Sequence, residues 1–288
     1  MSTLVRLKKD LDFNVELVSL IDVMKGIAAS EFQELQKRKE HFHKRFLESF
    51  ASFFELIDFG KVEHPFGRVT TERMGIIMVT SDEGFMGGLN THVINSALAE
   101  RQKDAELIII GERGAAYLKG VGEKFEFFPG ITEENRYKLA VDIKNRIIQE
   151  SNAGRIGKVI LSYPFPISFT FQRVELVTIL PCTELFEKKK DVKADSEEVI
   201  LESRLEGIIE HLVAEWITHK LYEVFEDSKL SEFAARTIHL EQSYQELSQL
   251  KNILQYQYTK EKHSFIDRGM RGAFASQLLR KRIKGGAY

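Results

Sequence analysis

Apolar residues recur in alternating steps of three and four along the first arm of the chain. With Leu4 and Leu7 opening the seam, it continues through Leu11, Asn14, Val18, Ile21, Lys25, Ala28, Phe32, Leu35, Lys39, Phe42, Phe46, Ser49, Phe53 and Leu56. Twelve of these sixteen positions are apolar, which predicts a coiled-coil-like helix. At about 1.5 Å per residue it would reach ~80 Å, so it needs a partner along most of its length. The last arm offers one: helix is expected from about residue 197, with a seam at Leu240, Tyr244, Leu247, Lys251, Leu254, Tyr258, Glu261 and Phe265. Lys251 and Glu261 interrupt that seam. Two terminal helices with matching seams pair most simply as an antiparallel coiled coil.

The middle has another rhythm. Short apolar or β-branched runs at 74–80 (MGIIMVT), 106–110 (ELIII), 158–162 (KVILS) and 174–180 (VELVTIL) predict strands, bounded by turn residues. Helical stretches at 90–102, 114–119 and 133–151 lie between them. Alternating strands and helices argue for an α/β layer on a largely parallel sheet, with the last two strands as a hairpin. The expected organisation is a coiled-coil helix over 1–60, an α/β domain over 61–195 and a second coiled-coil helix over 196–288.

Proline placement supports this division. All five prolines (Pro65, Pro129, Pro164, Pro166, Pro181) fall in the middle, leaving 64 proline-free residues before them and 107 after. Proline punctuates folds by removing a donor and fixing the backbone, so both arms read as uninterrupted elements. A net charge of −2, with 43% apolar and 29% charged residues, does not suggest a nucleic-acid binder. One cysteine, Cys182, excludes a disulfide framework. No run approaches the ~20 apolar residues of a membrane span. The opening MSTLVRLKKD lacks the apolar core of a secretory signal, so a cytosolic setting is expected.

Chemistry-bearing patterns are few. The stretch 81–90 (SDEGFMGGLN) sits between a strand and a helix, where glycine loops often cradle phosphate. It matches neither phosphate-binding fingerprint, and Asp82 and Glu83 would repel an anion. A structural turn is the better reading, and no cofactor, metal or small-molecule substrate is expected. His41 and His43, two apart on a helix, point to different faces and cannot share a metal. Cys182 reads as a structural thiol. Tyr163, Phe165, Phe169 and Phe171 read as a hairpin packed on the core rather than an exposed aromatic patch. Within the last arm, 191–232 carries 12 acids and 4 bases, whereas 260–284 carries 8 bases and 2 acids.

Taken together, these segments resemble the gamma subunit of F-type ATP synthases, the central stalk. The segment 23–30 (VMKGIAAS) is similar to the family's A-M-x-M-V-A-A-S/A, and SDEGFMGGLN to its S-D-R-G-L-C-G-G-L-N. GERGAAYLKG (111–120), SEFAARTIHLEQSYQEL (231–247) and YTKEKHSFID (258–267) resemble later family segments in the same order. The resemblance implies a Rossmann-like α/β domain without a nucleotide site, inserted between two helices of an antiparallel coiled coil. It also implies a non-catalytic rotor subunit that couples ion flow to ATP synthesis or hydrolysis, held through the complex at the cytoplasmic face of a membrane. The implied partners are the alpha and beta subunits of the catalytic hexamer, an epsilon-like subunit and the membrane c-ring. Met24, Lys25, Lys262, His263 and Arg268 would meet the hexamer, and Asp82 and Glu83 the epsilon or ring side.

The departures define a divergent member. Asp10, Asp12, Glu16 and Asp22 enter a segment that is basic in the family, and Gly26 stands where methionine is usual. Glu83 replaces an arginine and Met86 a cysteine; Lys262-His263 replaces Arg-Gln, losing a planar fork. Gly269 and Gly272 would loosen the end of the last helix. Two alternatives follow: a gamma-like paralogue serving a specialised ATPase without ion-coupled synthesis, and a nucleotide-binding α/β enzyme with helical arms.

Overall fold

The computed structural model describes residues 3–56, 64–102, 104–183 and 204–285, with the side chains at 39–56 and 279–285 outside the description. The seam from Lys39 to Leu56, and His41 and His43, therefore lie outside the described side chains. The expected boundaries at 60/61 and 195/196 lie outside the described residues. The elements run α1 (Thr3–Leu56), a 3-10 turn (Pro65–Gly67), β1 (Met74–Val79), α2 (Leu89–Ala99), β2 (Glu106–Ile110) and α3 (Glu112–Val121). They continue with β3 (Glu126–Phe128), α4 (Arg136–Asn152), β4 (Lys158–Pro166), β5 (Gln172–Leu180) and α5 (Leu205–Gly285). The chain packs as two units, Met1–Ile27 with Leu240–Tyr288, and Ala28–His239.

The five strands form one sheet in the order β3-β2-β1-β4-β5. Pairing is parallel between β1 and β2, β1 and β4, and β2 and β3, and antiparallel between β4 and β5. That is the parallel sheet with a terminal hairpin that the apolar runs predict. β3 is an addition: at three residues it is too short for a periodicity to register. β4 also runs further than expected, through Pro164 and Pro166. Beyond Ser162 it pairs with β5 alone, so the prolines sit where one neighbour has already ended.

Strand alternation divides the sheet between two cores. One face presents Ile77, Val79, Ile108, Ile110 and Leu161 to Leu139 and Ile143 of α4 and to Ile209, Val213, Ile217, Leu221 and Phe225 of α5. The other presents Met74, Ile76, Met78 and Ile109 to Val93, Ile94 and Ala97 of α2 and Leu118 of α3. The first stretch of α5 is thus a covering helix of the sheet. Truncating a fully buried side chain such as Phe225 to alanine costs about 3–5 kcal/mol. Within the same unit, Phe32 and Leu35 of α1 pack with Leu230 and Ala234 of α5. The hairpin aromatics divide: Tyr163 is buried and Phe165 packs against the core, whereas Phe169 is 38% exposed and meets Phe32 edge-on at 4.9 Å. Phe171 remains exposed. Cys182 is buried, its thiol directed at the carbonyl of Ile179.

In the other unit the seam of α1 is observed as drawn. Leu11, Asn14, Val18 and Ile21 are its buried residues, every one a seam position. Lys25 Nζ lies 2.9 Å from Glu241 of α5. From that point the shielded positions of α1 continue toward lower numbers and those of α5 toward higher ones, so the pair is antiparallel. On α5 beyond Glu241 the half-buried positions are Ser243, Tyr244, Leu247, Ser248, Lys251, Leu254, Tyr258, Glu261 and Ser264, so Lys251 and Glu261 belong to the seam with the apolar positions expected there. The expected Phe265 does not: it is 60% exposed, and Ser264 takes the half-buried place.

Candidate functional site

Two segments singled out in the sequence, 81–90 and 231–236, meet in the Ala28–His239 unit. The loop after β1 closes on itself first. Ser81 N donates to Asn90 Oδ1 at 3.2 Å, Asn90 Nδ2 donates to Ser81 Oγ at 2.9 Å, and Ser81 Oγ donates to the Glu83 carbonyl at 2.8 Å. Phe85 and Gly87 turn the chain with positive φ, and Met86 and Leu89 are buried beneath. Asp82 Oδ1 accepts from Glu112 N at 2.8 Å, satisfying a donor left free at the start of α3. Gly130 makes room for this, since a Cβ there would fall 2.3 Å from the Asp82 carboxyl carbon. Gly114 permits a similar approach to Thr80, whose Oγ1 would lie 2.3 Å from an added Cβ.

Arg236 ties the loop to α5. Its Nε donates to the Gly84 carbonyl at 3.3 Å, its Nη1 is 3.1 Å from Glu83, and its Nη2 donates to Glu232 at 2.6 Å. Lys229 Nζ donates to the other Glu232 oxygen at 2.9 Å. Glu232 and Arg236 are four residues apart, hence on one helix face, and both are buried. The chemistry available is fastening rather than catalysis: charged groups answer one another and the serine and asparagine are mutually bonded. Two carboxylates, Glu83 and Glu232, share the Arg236 guanidinium, while that of Arg113 lies beside Gly84. Beside the loop lies a niche of about 10 Å³, lined by Thr80, Ser81, Asn90, Pro164, Ser228 and Glu232 among others. Among the described residues, no group of three or more His, Cys, Asp or Glu side chains is placed to hold a metal.

The structure does not gather the seven residues expected to make contacts into one place. Asp82 and Glu83 are adjacent but employed internally, one capping α3 and the other facing Arg236. In the other unit, Met24 is half-buried, and Lys25 is engaged by Asp22 at 3.0 Å, by Glu241, and by the Tyr244 ring at 4.4 Å. Hydrogen bonding to Glu241 and then Asp22 holds the Lys25 ammonium above its ordinary pKa. Lys262, His263 and Arg268 are exposed, with Arg268 donating to Glu261 at 2.8 Å. They lie 21 or more positions past Glu241, about 30 Å along the helix axis, so the five make two separate groups. Arg236, Glu232 and Lys229 were missed as site residues. The signal was available: an acid and a base four apart in SEFAAR, on a helix facing the loop.

Comparison with known proteins places this arrangement. A family model described as ATP synthase matches residues 14–271. The ATP synthase gamma chain of Desulfitobacterium hafniense is 29% identical over 221 residues, 74% of this chain and 76% of that one. The ATP synthase gamma chain of Halothermothrix orenii is 25% identical over 276 residues, covering 92% of this chain and 95% of the relative. Among solved structures, a chain of the Euglena gracilis mitochondrial ATP synthase (OSCP/F1/c-ring) superimposes with a TM-score of 0.69. It has 13% identity, with 99% of this chain and 97% of that chain covered. A chain from the rotor of the same enzyme gives 0.66 at 15% identity, covering 92% and 99%. The match runs through both helices and the sheet between them, and the chain belongs to the gamma-subunit family of ATP synthases.

Proposed function

We propose that this chain is the central-stalk rotor subunit of an F-type ATP synthase or ATPase, mechanically coupling ion flow through a membrane ring to synthesis or hydrolysis of ATP. The observation that carries this reading is α5, one helix of 81 residues that supplies the sheet with core residues and α1 with seam partners. A shaft needs that kind of element, since an interrupted one would dissipate torque. The subunit itself performs no bond chemistry: its most distinctive loop spends its polar groups on Arg236, α3 and itself. Its partners would be the alpha and beta subunits, an epsilon-like subunit and the c-ring, with one copy per complex. It would be held at the cytoplasmic face of the membrane through them, and no described helix is long and apolar enough to cross a membrane.

In this reading, 1–60 and 196–288 form the shaft helices and 61–195 the α/β base. Met24, Lys262, His263 and Arg268 remain the proposed contacts with the hexamer. Lys25 would contribute less to that contact than its position suggests, because its charge is already shared with Asp22 and Glu241. Glu83 would likewise face the epsilon or ring side with only the part of its carboxylate not used by Arg236, and Asp82 would support it from behind. The inward use of Glu83 also favours the second reading, a gamma-like shaft serving a specialised ATPase. Purification of the tagged chain from its native source decides. Recovery in single copy with alpha, beta, epsilon-like and ring subunits supports the rotor. A hexameric ATPase lacking ring subunits supports the second reading, and a lone monomer sinks both.

A further inference from the structure

The hydroxyl of Ser228 has no use in the network just described. Ser228 is 4% exposed, its Oγ finds no hydrogen-bond partner among the described residues, and it lines the niche beside the loop after β1. Leaving a buried hydroxyl unmatched is costly, and Ser228 shares this niche with the polar groups of Thr80, Ser81, Asn90 and Glu232 as well as with apolar Val79, Met86, Leu89 and Ile131. The volume, about 10 Å³, corresponds to a single water, which needs roughly that much space and two to four polar partners.

We infer that this niche binds one structural water that bridges α5, β4 and the loop after β1. The lining supplies complementary groups. Ser228 Oγ donates. The Pro164 carbonyl already accepts from Ser231 Oγ at 3.0 Å and retains a second lone pair. The Glu232 carboxylate, hydrogen-bonded to Lys229 and Arg236, has further acceptor capacity. One donor and two acceptors match a water that accepts once and donates twice. Thr80 Oγ1 donates to the Ile110 carbonyl at 2.6 Å and can still accept, as can Ser81 Oγ, so the water has alternative partners on the loop side. The bridge would fasten the loop to α5 at a second point, beside the Arg236 clamp. Nothing in it depends on the rotor reading.

A high-resolution structure of the full chain or of its complex, together with melting of Ser228→Ala in the full chain, tests the inference. The expected result is a solvent peak about 2.7–3.2 Å from Ser228 Oγ, lost or weakened in S228A, with a lower Tm for the variant. A dry niche in which Ser228 Oγ bonds to its own helix overturns it. So does an S228A chain of unchanged or higher Tm, because removing a hydroxyl that has no partner costs nothing. Ser228→Thr keeps the hydroxyl while filling space, and should expel the water and also lower the Tm. A retained peak and unchanged Tm in S228T overturn the assignment.

Discussion

The guanidinium of Arg236, buried in α5, stands 3.1 Å from the carboxylate of Glu83, an exposed residue 153 positions earlier in the chain. The two are unequal partners. Arg236 also answers the buried Glu232, so replacing it by alanine strands a carboxylate with Lys229 alone, at a cost of about 3–5 kcal/mol. Glu83→Ala should cost less than about 1 kcal/mol, because the Glu83 side chain is 73% exposed and screened by solvent. Urea unfolding of the two variants gives the comparison, and equal losses would contradict the clamp.

Gly26 sits in the middle of α1 with nothing within 4 Å of where a Cβ would be. No close packing compensates for its low helix propensity. Gly26→Ala should therefore stabilise the chain by about 1 kcal/mol, read as a higher urea midpoint at unchanged m-value. A loss of stability would mean that this stretch of helix bends as part of its role.

Lys25 and Glu241 should couple over a definite pH window. The Lys25 pKa is raised, chiefly by Glu241, so its contribution is present below the ordinary lysine value and lost as pH rises through the folded one. The Glu241 pKa is lowered, chiefly by Lys25, so its contribution is present above the ordinary carboxylate value and lost as pH falls through the folded one. A double-mutant cycle with Lys25→Met and Glu241→Gln should show coupling at pH 7 that disappears in acid and shrinks in high salt. A salt-independent coupling would point to packing of the lysine stem.

His64 should make the chain acid-sensitive. It is buried at the turn before β1, where its Nδ1 accepts from Phe66 N at 3.3 Å. Burial lowers its pKa from 6.5, only partly offset by Glu210 and Glu206. The unfolded chain therefore takes up a proton more readily. Stability is full above the ordinary value and falls as pH drops below it. His64→Asn keeps a side-chain acceptor and should remove that part of the slope, measured as Tm between about pH 5 and 8. An unchanged slope would assign the acid sensitivity to other groups.

Much of the fold could be read from periodicity. Every buried position found in α1 falls on the heptad seam, and the four longer strands begin within two residues of the apolar runs that predict them. What escaped was set by tertiary contact. The residues from Ile209 to Phe225 carry helical spacing, and spacing alone does not say whether a helix faces a sheet or another helix. β3 is too short to show a pattern, and the slip from Phe265 to Ser264 depends on how the seam is met, not on hydrophobicity. At the site, the sequence supplied both motifs but not their encounter. Asp82 and Glu83 read only as acids that repel an anion and face a partner, because Glu112 N, Gly130 and Arg236, which engage them, lie 30, 48 and 153 positions away.

The use of α5 as a lid over one face of the sheet governs when the protein can fold. All five strands are synthesised before Ile209. Until the stretch up to Phe225 emerges, Ile77, Val79, Ile108 and Ile110 lack the α5 part of their cover. Completion of the sheet's core is thus deferred until the last third of the chain is being synthesised. A chain stopped before Leu205 would leave one side of the sheet without its main cover, a nascent state that invites chaperone binding.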